Sequence, residues 1–252
     1  MSAADRRVVF FDLVATLIRP AQSIGVQYGE LARRLGVEAD ARKLDRAFEE
    51  AMRTTPPVAL SGRPPAEVPS LEKAWWRDLV RGVLRRAGLS GVLEGSRFEV
   101  YFDSLYRHFE TGAAWVVYPD VVPALSRLRS DGRGVGLITN YDARVHRLLE
   151  ALDLRAWFDC VVIPGLAGAA KPDPAIFRYA LEQAVVTPEC SIYVGDLLGE
   201  DVDGARAAGI RPILLDRGRR HQAVAGVVRI ESLDNLPAAL GPWPVAEAGP
   251  ST

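Results

Sequence analysis

Short runs of this sequence are apolar at successive positions, not at alternate ones: Val8 to Phe11, Gly134 to Ile138, Cys160 to Ile163, Ser191 to Val194 and Pro212 to Leu215. A strand with one wet face alternates apolar and polar residues, whereas a strand covered on both faces has no reason to. Helical patterns separate these runs, over Asp120 to Ser130, Ala143 to Leu152, Pro174 to Gln183 and Asp201 to Ala208. Strands alternating with helices specify an α/β fold, a doubly wound parallel sheet with right-handed crossovers. Such a sheet carries its ligands at the carboxyl ends of its strands.

Between about Arg19 and Ala114 this rhythm stops. Helical stretches run from Gln22 to Leu35, Ala41 to Arg53, Leu71 to Ala87 and Ser96 to Phe109, with no convincing strand among them. Pro56, Pro57, Gly62, Pro64, Pro65 and Pro69 mark a long irregular connection inside the interval. A helical module inserted directly after the first strand reads as a cap. The expected division is an α/β core over 1–18 and 115–240, a helical cap over 19–114 and a flexible tail over 241–252. The cap should hinge near Ile18 to Ala21 and Gly112 to Pro119.

Composition removes several function classes. The 252 residues carry a formal net charge of -1, so no global field draws the chain to nucleic acid or an anionic membrane. No apolar run of about 18 residues is present to span a bilayer. Met1-Ser2-Ala3 leads almost directly into the first strand, which leaves no room for a signal peptide. Cys160 and Cys190 have no metal-ligand spacing and read as reduced thiols, so a cytoplasmic enzyme acting on a small molecule is expected. Monomer and homodimer both remain open.

The strand ends carry the chemistry. Asp12 follows the first strand, where a carboxylate can act as nucleophile and metal ligand. Thr139 and Asn140 follow the second, with the Thr139 hydroxyl placed to hold a phosphoryl oxygen. Lys171, in Ala169-Ala170-Lys171-Pro172-Asp173-Pro174, brings a positive charge, and Asp196 and Asp201 bring hard oxygens suited to Mg²⁺. A cation and a lysine would relieve the repulsion between carboxylate and phosphate. Taken singly, an Asp after a strand, a Lys-Pro or a Gly-Asp is an ordinary turn. Their order along the chain, and the run Gly195-Asp196 to Asp201 followed by Gly204-Ala205-Arg206-Ala207-Ala208-Gly209, set the group apart.

These motifs resemble the haloacid dehalogenase (HAD) superfamily over nearly the whole chain. The segments Thr139 to Arg144 and Lys171 to Phe177, with Trp75-Trp76, are similar to the rhythmically-expressed-gene type of HAD-like hydrolase. The family's first motif is Asp-x-Asp-x-Thr, in which the first Asp attacks phosphorus and the second protonates the leaving group. Here the motif reads Asp12-Leu13-Val14-Ala15-Thr16, with Val14 in place of the acid. The resemblance implies Asp12, Asp196, Asp201 and the Val14 backbone carbonyl as Mg²⁺ ligands, Thr139 and Lys171 as phosphoryl holders, Asn140 beside the substrate, and Thr16 ordering the loop or touching the nucleophile.

Val14 carries no proton, and general acid catalysis is worth about 10²–10⁴-fold. The leaving group is therefore good already (an acyl phosphate, an aryl phosphate or a halide), or the cap supplies an acid from among Glu30, Lys43, Lys73 and His108, or catalysis is weak. The expected function is a Mg²⁺-dependent phosphohydrolase of a small phosphorylated metabolite. One alternative is a metal-independent 2-haloacid dehalogenase, in which Asp12 attacks carbon and Arg33 or Arg34 cradles the halide. Another is a phospholigand- or partner-binding protein. A phosphonate hydrolase with a cap lysine is permitted by Lys43 and Lys73 without being indicated. Trp75-Trp76 reads as cap packing, and His146 and the basic run Arg217 to His221 read as solvated surface.

Overall fold

Successive side chains of β1 (Val8–Phe11) leave the strand on opposite sides, and both sides are covered. Val9 and Phe11 join one buried apolar cluster, Val8 and Phe10 another. The computed structural model describes residues 6–241 except 57, 59, 61, 222 and 223. The expected tail lies outside them but for Gly241. After β1 come β2 (Ile18–Pro20) and the helices α1 (Ile24–Arg33), α2 (Ala41–Thr54), α3 (Val68–Ala87) and α4 (Gly95–His108). Then follow β3 (Trp115–Val117), α5 (Val121–Ser130), β4 (Gly134–Ile138), α6 (Val145–Ala151), β5 (Cys160–Val162), α7 (Pro164–Ala167) and α8 (Pro174–Ala184). The chain ends with β6 (Ser191–Gly195), a wide helical turn over Leu198–Asp203, α9 (Gly204–Ala207), β7 (Arg211–Leu215), β8 (Val228–Ile230) and α10 (Leu236–Leu240).

The main sheet has the order β5-β4-β1-β6-β7-β8, and every pairing in it is parallel. From β1 the strands build outward through β4 and β5 on one side. On the other they build through β6, β7 and β8. The order reverses beside β1, so the loops after β1, β4 and β6 open into one crevice. A Cβ built on Gly136 of β4 would lie 2.4 Å and 2.6 Å from Phe10 ring atoms, so only glycine lets these two strands pair with Phe10 between them.

Helices α1–α4 bury a core of their own that includes Tyr28, Leu44, Leu79, Val83, Tyr101 and Phe102. Ser23 caps α1 by accepting from the Val26 N–H, and Asp40 caps α2 by accepting from Arg42 and Lys43. Helix α3 starts at Val68, not at Leu71. Pro69 sits in its first turn, where a missing N–H costs nothing, so it begins a helix and does not belong to the irregular connection.

The structure adds three strands that periodicity does not reveal. β2 and β3 pair antiparallel, Ile18 with Val117 and Pro20 with Trp115, and tie together the two crossings between sheet and helices. β8 adds to the sheet edge beyond β7. Each is three residues long, too short for a pattern to repeat. The helix expected over Asp201 to Ala208 is entered through the wide turn, because the Asp201 side chain folds back to accept the Leu197 N–H at 2.9 Å. Among the described residues no helix is long and apolar enough to cross a membrane.

Candidate active site

Four separate chain segments, those around Asp12, Thr139, Lys171 and Asp196, meet at the crevice. The Asp12 N–H still donates to the Val194 carbonyl at 2.9 Å, extending the β1–β6 pairing by one residue and fixing where its carboxylate begins. Lys171, from the loop before α8, is buried and donates 2.7 Å to Asp12 Oδ1, 2.6 Å to Asp201 Oδ1 and 2.9 Å to the Tyr193 hydroxyl. That satisfies all of an ammonium's hydrogens. Tyr193, on β6, also lies 2.9 Å from Asp201 Oδ1. The sequence does not single this residue out, because a tyrosine in a buried strand reads as core. Its hydroxyl, two residues before Gly195-Asp196, is the available signal.

Asp12, Asp196 and Asp201 each offer an oxygen within 4.8 Å of the others. Burial, with the neighbouring Asp201 and Asp196 charges, pushes the Asp12 carboxyl up to about 7 against the pull of Lys171. Burial and Asp201 likewise raise Asp196. Burial works against the Lys171 charge, but Asp12 and Asp201 outweigh it and hold the ammonium more firmly protonated than usual. Three carboxylates against one buried ammonium leave an excess of negative charge. Their hard, converging oxygens fit a small divalent cation such as Mg²⁺.

Around this centre the other expected residues take distinct places. Thr139 is buried, and its Oγ1 accepts the Tyr141 N–H at 3.1 Å, which leaves its own hydrogen to donate. The Asn140 side chain grips the Lys171 backbone: Oδ1 accepts the Lys171 N–H at 2.8 Å, and Nδ2 donates to the Lys171 carbonyl at 3.1 Å. Glu200 accepts the same amide at 3.0 Å, so Asn140 is engaged by protein on both sides. Thr16 is fully buried with no partner for its hydroxyl among the described residues. Its carbonyl accepts from Arg217, which also pairs with Asp120 at 2.7 Å. Val14 is half-buried and packs on the apolar cluster that contains Trp115 and Tyr141. The loop turns through Ala15 at φ 65, a left-handed conformation uncommon outside glycine.

The basic run Arg217 to His221 is exposed at Gly218, Arg219 and Arg220, as expected of a surface loop, but its ends are anchored. Buried Asp216 accepts the Arg220 and His221 N–H groups and pairs with Arg229, folding the run back onto the crevice. Arg220 then reaches Asp196 Oδ2 at 3.0 Å. Of the expected cap acids, Lys73 pairs with Asp103 and His108 meets the Gln27 side chain at 2.6 Å. The carboxyl that α3 does present to the sheet's loops is Glu72, fully buried, its Oε2 accepting the Ala143 N–H at 2.9 Å. Burial first, and Asp142 nearby, push it up to about 7. Trp75 and Trp76 stand edge to face, and Trp76 faces the Arg144 guanidinium at 5.1 Å.

The same chain matches the haloacid dehalogenase-like hydrolase family over residues 6–209. It belongs to that family. Haloacid dehalogenase-like hydrolase domain-containing protein 3 of Bos taurus is 32% identical over 213 residues, covering 83% of this chain and 81% of the relative. Rhythmically expressed gene 2 protein of Drosophila melanogaster is 26% identical over 214 residues, 81% and 80% of the two chains. A phosphoserine phosphatase of Thermus thermophilus is 30% identical over 233 residues, 85% of this chain and 90% of its own. Among solved structures, a 2-haloacid dehalogenase from Pseudomonas syringae superposes with a TM-score of 0.62 at 27% identity, over 93% and 98% of the chains. The chain is thus a HAD superfamily hydrolase with both phosphatase and dehalogenase kin.

Proposed function

We propose that this HAD hydrolase is a Mg²⁺-dependent phosphohydrolase that acts on a small phosphorylated metabolite through Asp12. The observation that carries the reading is the meeting of Asp12, Asp196 and Asp201 oxygens within 4.8 Å, with the Lys171 ammonium on two of them. Asp12, Asp196, Asp201 and the Val14 carbonyl would hold the cation, which when bound lowers the charge barrier between carboxylate and phosphate. Asp12 attacks phosphorus, and the bond to the leaving oxygen breaks with its electron pair. Thr139 donates to a phosphoryl oxygen while Lys171 offsets its charge. Water then hydrolyses the aspartyl phosphate, returning Asp12 and releasing phosphate. Thr16, its carbonyl clamped by Arg217, keeps the turn under Asp12 in place. Asn140 acts on Lys171 through its backbone.

Val14 can neither donate to the leaving group nor accept from the attacking water, so good leaving groups react and alkyl phosphates lag. Helices α1–α4, over 19–114, act as a cap that swings on the β2–β3 ribbon and selects the substrate. Cys160 and Cys190, neither in a disulfide, suit a cytoplasmic setting. One observation favours a second reading: Val14, together with the likeness to the Pseudomonas syringae dehalogenase, allows Asp12 to displace halide from carbon.

Assays of para-nitrophenyl phosphate, acetyl phosphate and 2-chloropropionate, with Mg²⁺ and with EDTA, separate the readings. Phosphate release that needs Mg²⁺ supports the phosphohydrolase. Chloride release insensitive to EDTA replaces it with the dehalogenase. No turnover, with thermal protection by a phosphate ester, leaves a phospholigand-binding protein.

A further inference from the structure

A cavity of about 60 Å³ lies where the cap helices meet the loop after β4. Its walls are carbon almost throughout, with Tyr28, Phe48 and Trp76 from the helices facing Trp115 and Tyr141 from the ribbon and the loop. The one charged group in the wall, Arg144, is spent. It pairs with buried Asp142, donates to the Tyr106 carbonyl and lies 3.8 Å from the Tyr106 ring centroid. The place a ligand cation would take over these rings is therefore filled by the protein, and the cavity suits a neutral apolar group.

Size narrows the occupant. Liquid water takes about 30 Å³ per molecule, and an apolar cavity of about 150 Å³ accepts benzene. The space between Tyr141 and the cap holds a group of about two or three carbons and not a whole ring. Position joins it to the chemistry. The Tyr141 N–H donates to Thr139 Oγ1, and Val14 packs on the cluster that contains Trp115 and Tyr141. In an in-line displacement the leaving oxygen departs on the side of phosphorus away from Asp12, and Val14 stands two residues on from that nucleophile.

From Val14 and this cavity together we infer that the substrate class is a short-chain acyl phosphate, whose alkyl chain of two or three carbons enters the cavity as its carboxylate departs. This deepens the phosphohydrolase reading and rests on it. Asp12 forms the new P–O bond, the P–O bond to the acyl group breaks, and the electron pair leaves on a carboxylate that is stable as an anion at neutral pH. No proton is needed at Val14. Water then attacks the aspartyl phosphate dianion to give the Asp12 carboxylate and H₂PO₄⁻, the proton of water ending on the phosphate. An alkyl phosphate lacks the stable leaving anion, and an aryl phosphate or benzoyl phosphate, though it reacts, gains nothing from the cavity.

The test is a steady-state series on the full chain with Mg²⁺: acetyl, propionyl, butyryl and benzoyl phosphate, with phosphate release measured. Each added methylene should raise kcat/KM about fourfold as it is buried, up to butyryl, and benzoyl phosphate should fall back. The kcat values should agree, because all four pass through one aspartyl phosphate. A flat series, or a preference for benzoyl phosphate, overturns the inference while phosphoryl transfer stands. Absence of phosphate release from all four overturns both. Ile24→Phe, which fills the cavity, should move the optimum back to acetyl phosphate, and Phe48→Ala, which enlarges it, should raise benzoyl phosphate in the order. If neither of the two variants changes the order, the cavity is not the subsite.

Discussion

Gly195 and Asp201 are in contact: a Cβ added to Gly195 would stand 2.4 Å from Asp201 Cγ and 2.5 Å from its Oδ2. The glycine is what lets the carboxylate lean across the end of β6, where it meets Lys171 and the Leu197 N–H. Gly195→Ala should therefore displace Asp201 while the sheet forms, at a stability cost of about 1–3 kcal/mol. We expect the Mg²⁺ concentration for half-maximal activity to rise at least about tenfold, as a carboxylate leaves the cation's surroundings. Activity titrated with Mg²⁺ at matched protein foldedness by circular dichroism checks this. An unshifted titration would show that Asp201 takes no part in holding the metal.

Lys171 is the only countercharge placed on both Asp12 and Asp201 among the described residues. Lys171→Met leaves Asp12 and Asp201 facing each other without their countercharge and should destabilise the chain by about 3–5 kcal/mol without metal. Mg²⁺ should restore more of that loss than it adds to the wild type, because more negative charge awaits it. Turnover should still drop about 10²–10³-fold, since the ammonium also acts on the phosphoryl group. Thermal melts with and without Mg²⁺ give the first result. Equal Mg²⁺ shifts in both proteins would separate Lys171 from the carboxylate cluster.

What can be read in the sequence divides along physical lines. The strands that carry Asp12, Thr139 and Asp196 are buried on both faces, so unbroken apolar runs betray them. A residue at such a strand's end is placed as soon as the strand is. Glu72 lies in the second turn of α3 between Leu71 and Lys73, and nothing local distinguishes a charged residue facing solvent from one facing Ala143 of another segment. Arg217 and Arg220 read as surface for the same reason. Arg217 is held inward by Asp120 and the Thr16 carbonyl, and half-exposed Arg220 is set over Asp196 by the Asp216 side chain on its N–H, contacts made by tertiary structure. Glu200 looks like one more acid in an acidic run until Asn140 is seen to reach it. The ribbon of β2 and β3 is too short for any period to register.

Val14→Asp restores the family's proton carrier and tests how much its absence costs. Alkyl phosphate hydrolysis should rise about 10²-fold or more, within the range general acid catalysis commands. For substrates with good leaving groups, kcat/KM should change little, while kcat should rise, because the new carboxyl can take a proton from the water that attacks the aspartyl phosphate. Burst kinetics with para-nitrophenyl phosphate resolve the two steps. An alkyl phosphate rate unchanged or lowered in this variant would mean that proton transfer at position 14 does not limit the reaction.

Glu72 makes stability depend on pH with a definite sign. Its carboxyl is buried at the junction of α3 with the loops after β4 and β5, Oε2 on the Ala143 N–H and Oε1 without a partner among the described residues. Burial first, and the Asp142 charge as well, raise it from 4.5 to about 7, against the Ala143 N–H and Arg144. The folded chain therefore holds this proton more tightly than the unfolded one. Its contribution is complete below pH 4.5 and is lost as pH rises towards 7, at about 1.4 kcal/mol for each pH step of one between those two values. Glu72→Gln keeps an oxygen for Ala143 and has no charge to bury. Relative to the wild type it should gain stability steadily between about pH 4.5 and 7, by on the order of 3 kcal/mol in full. Denaturant melts of both proteins at closely spaced pH values measure the difference. Two curves that stay parallel across that window would show that Glu72 is not protonated in the folded protein.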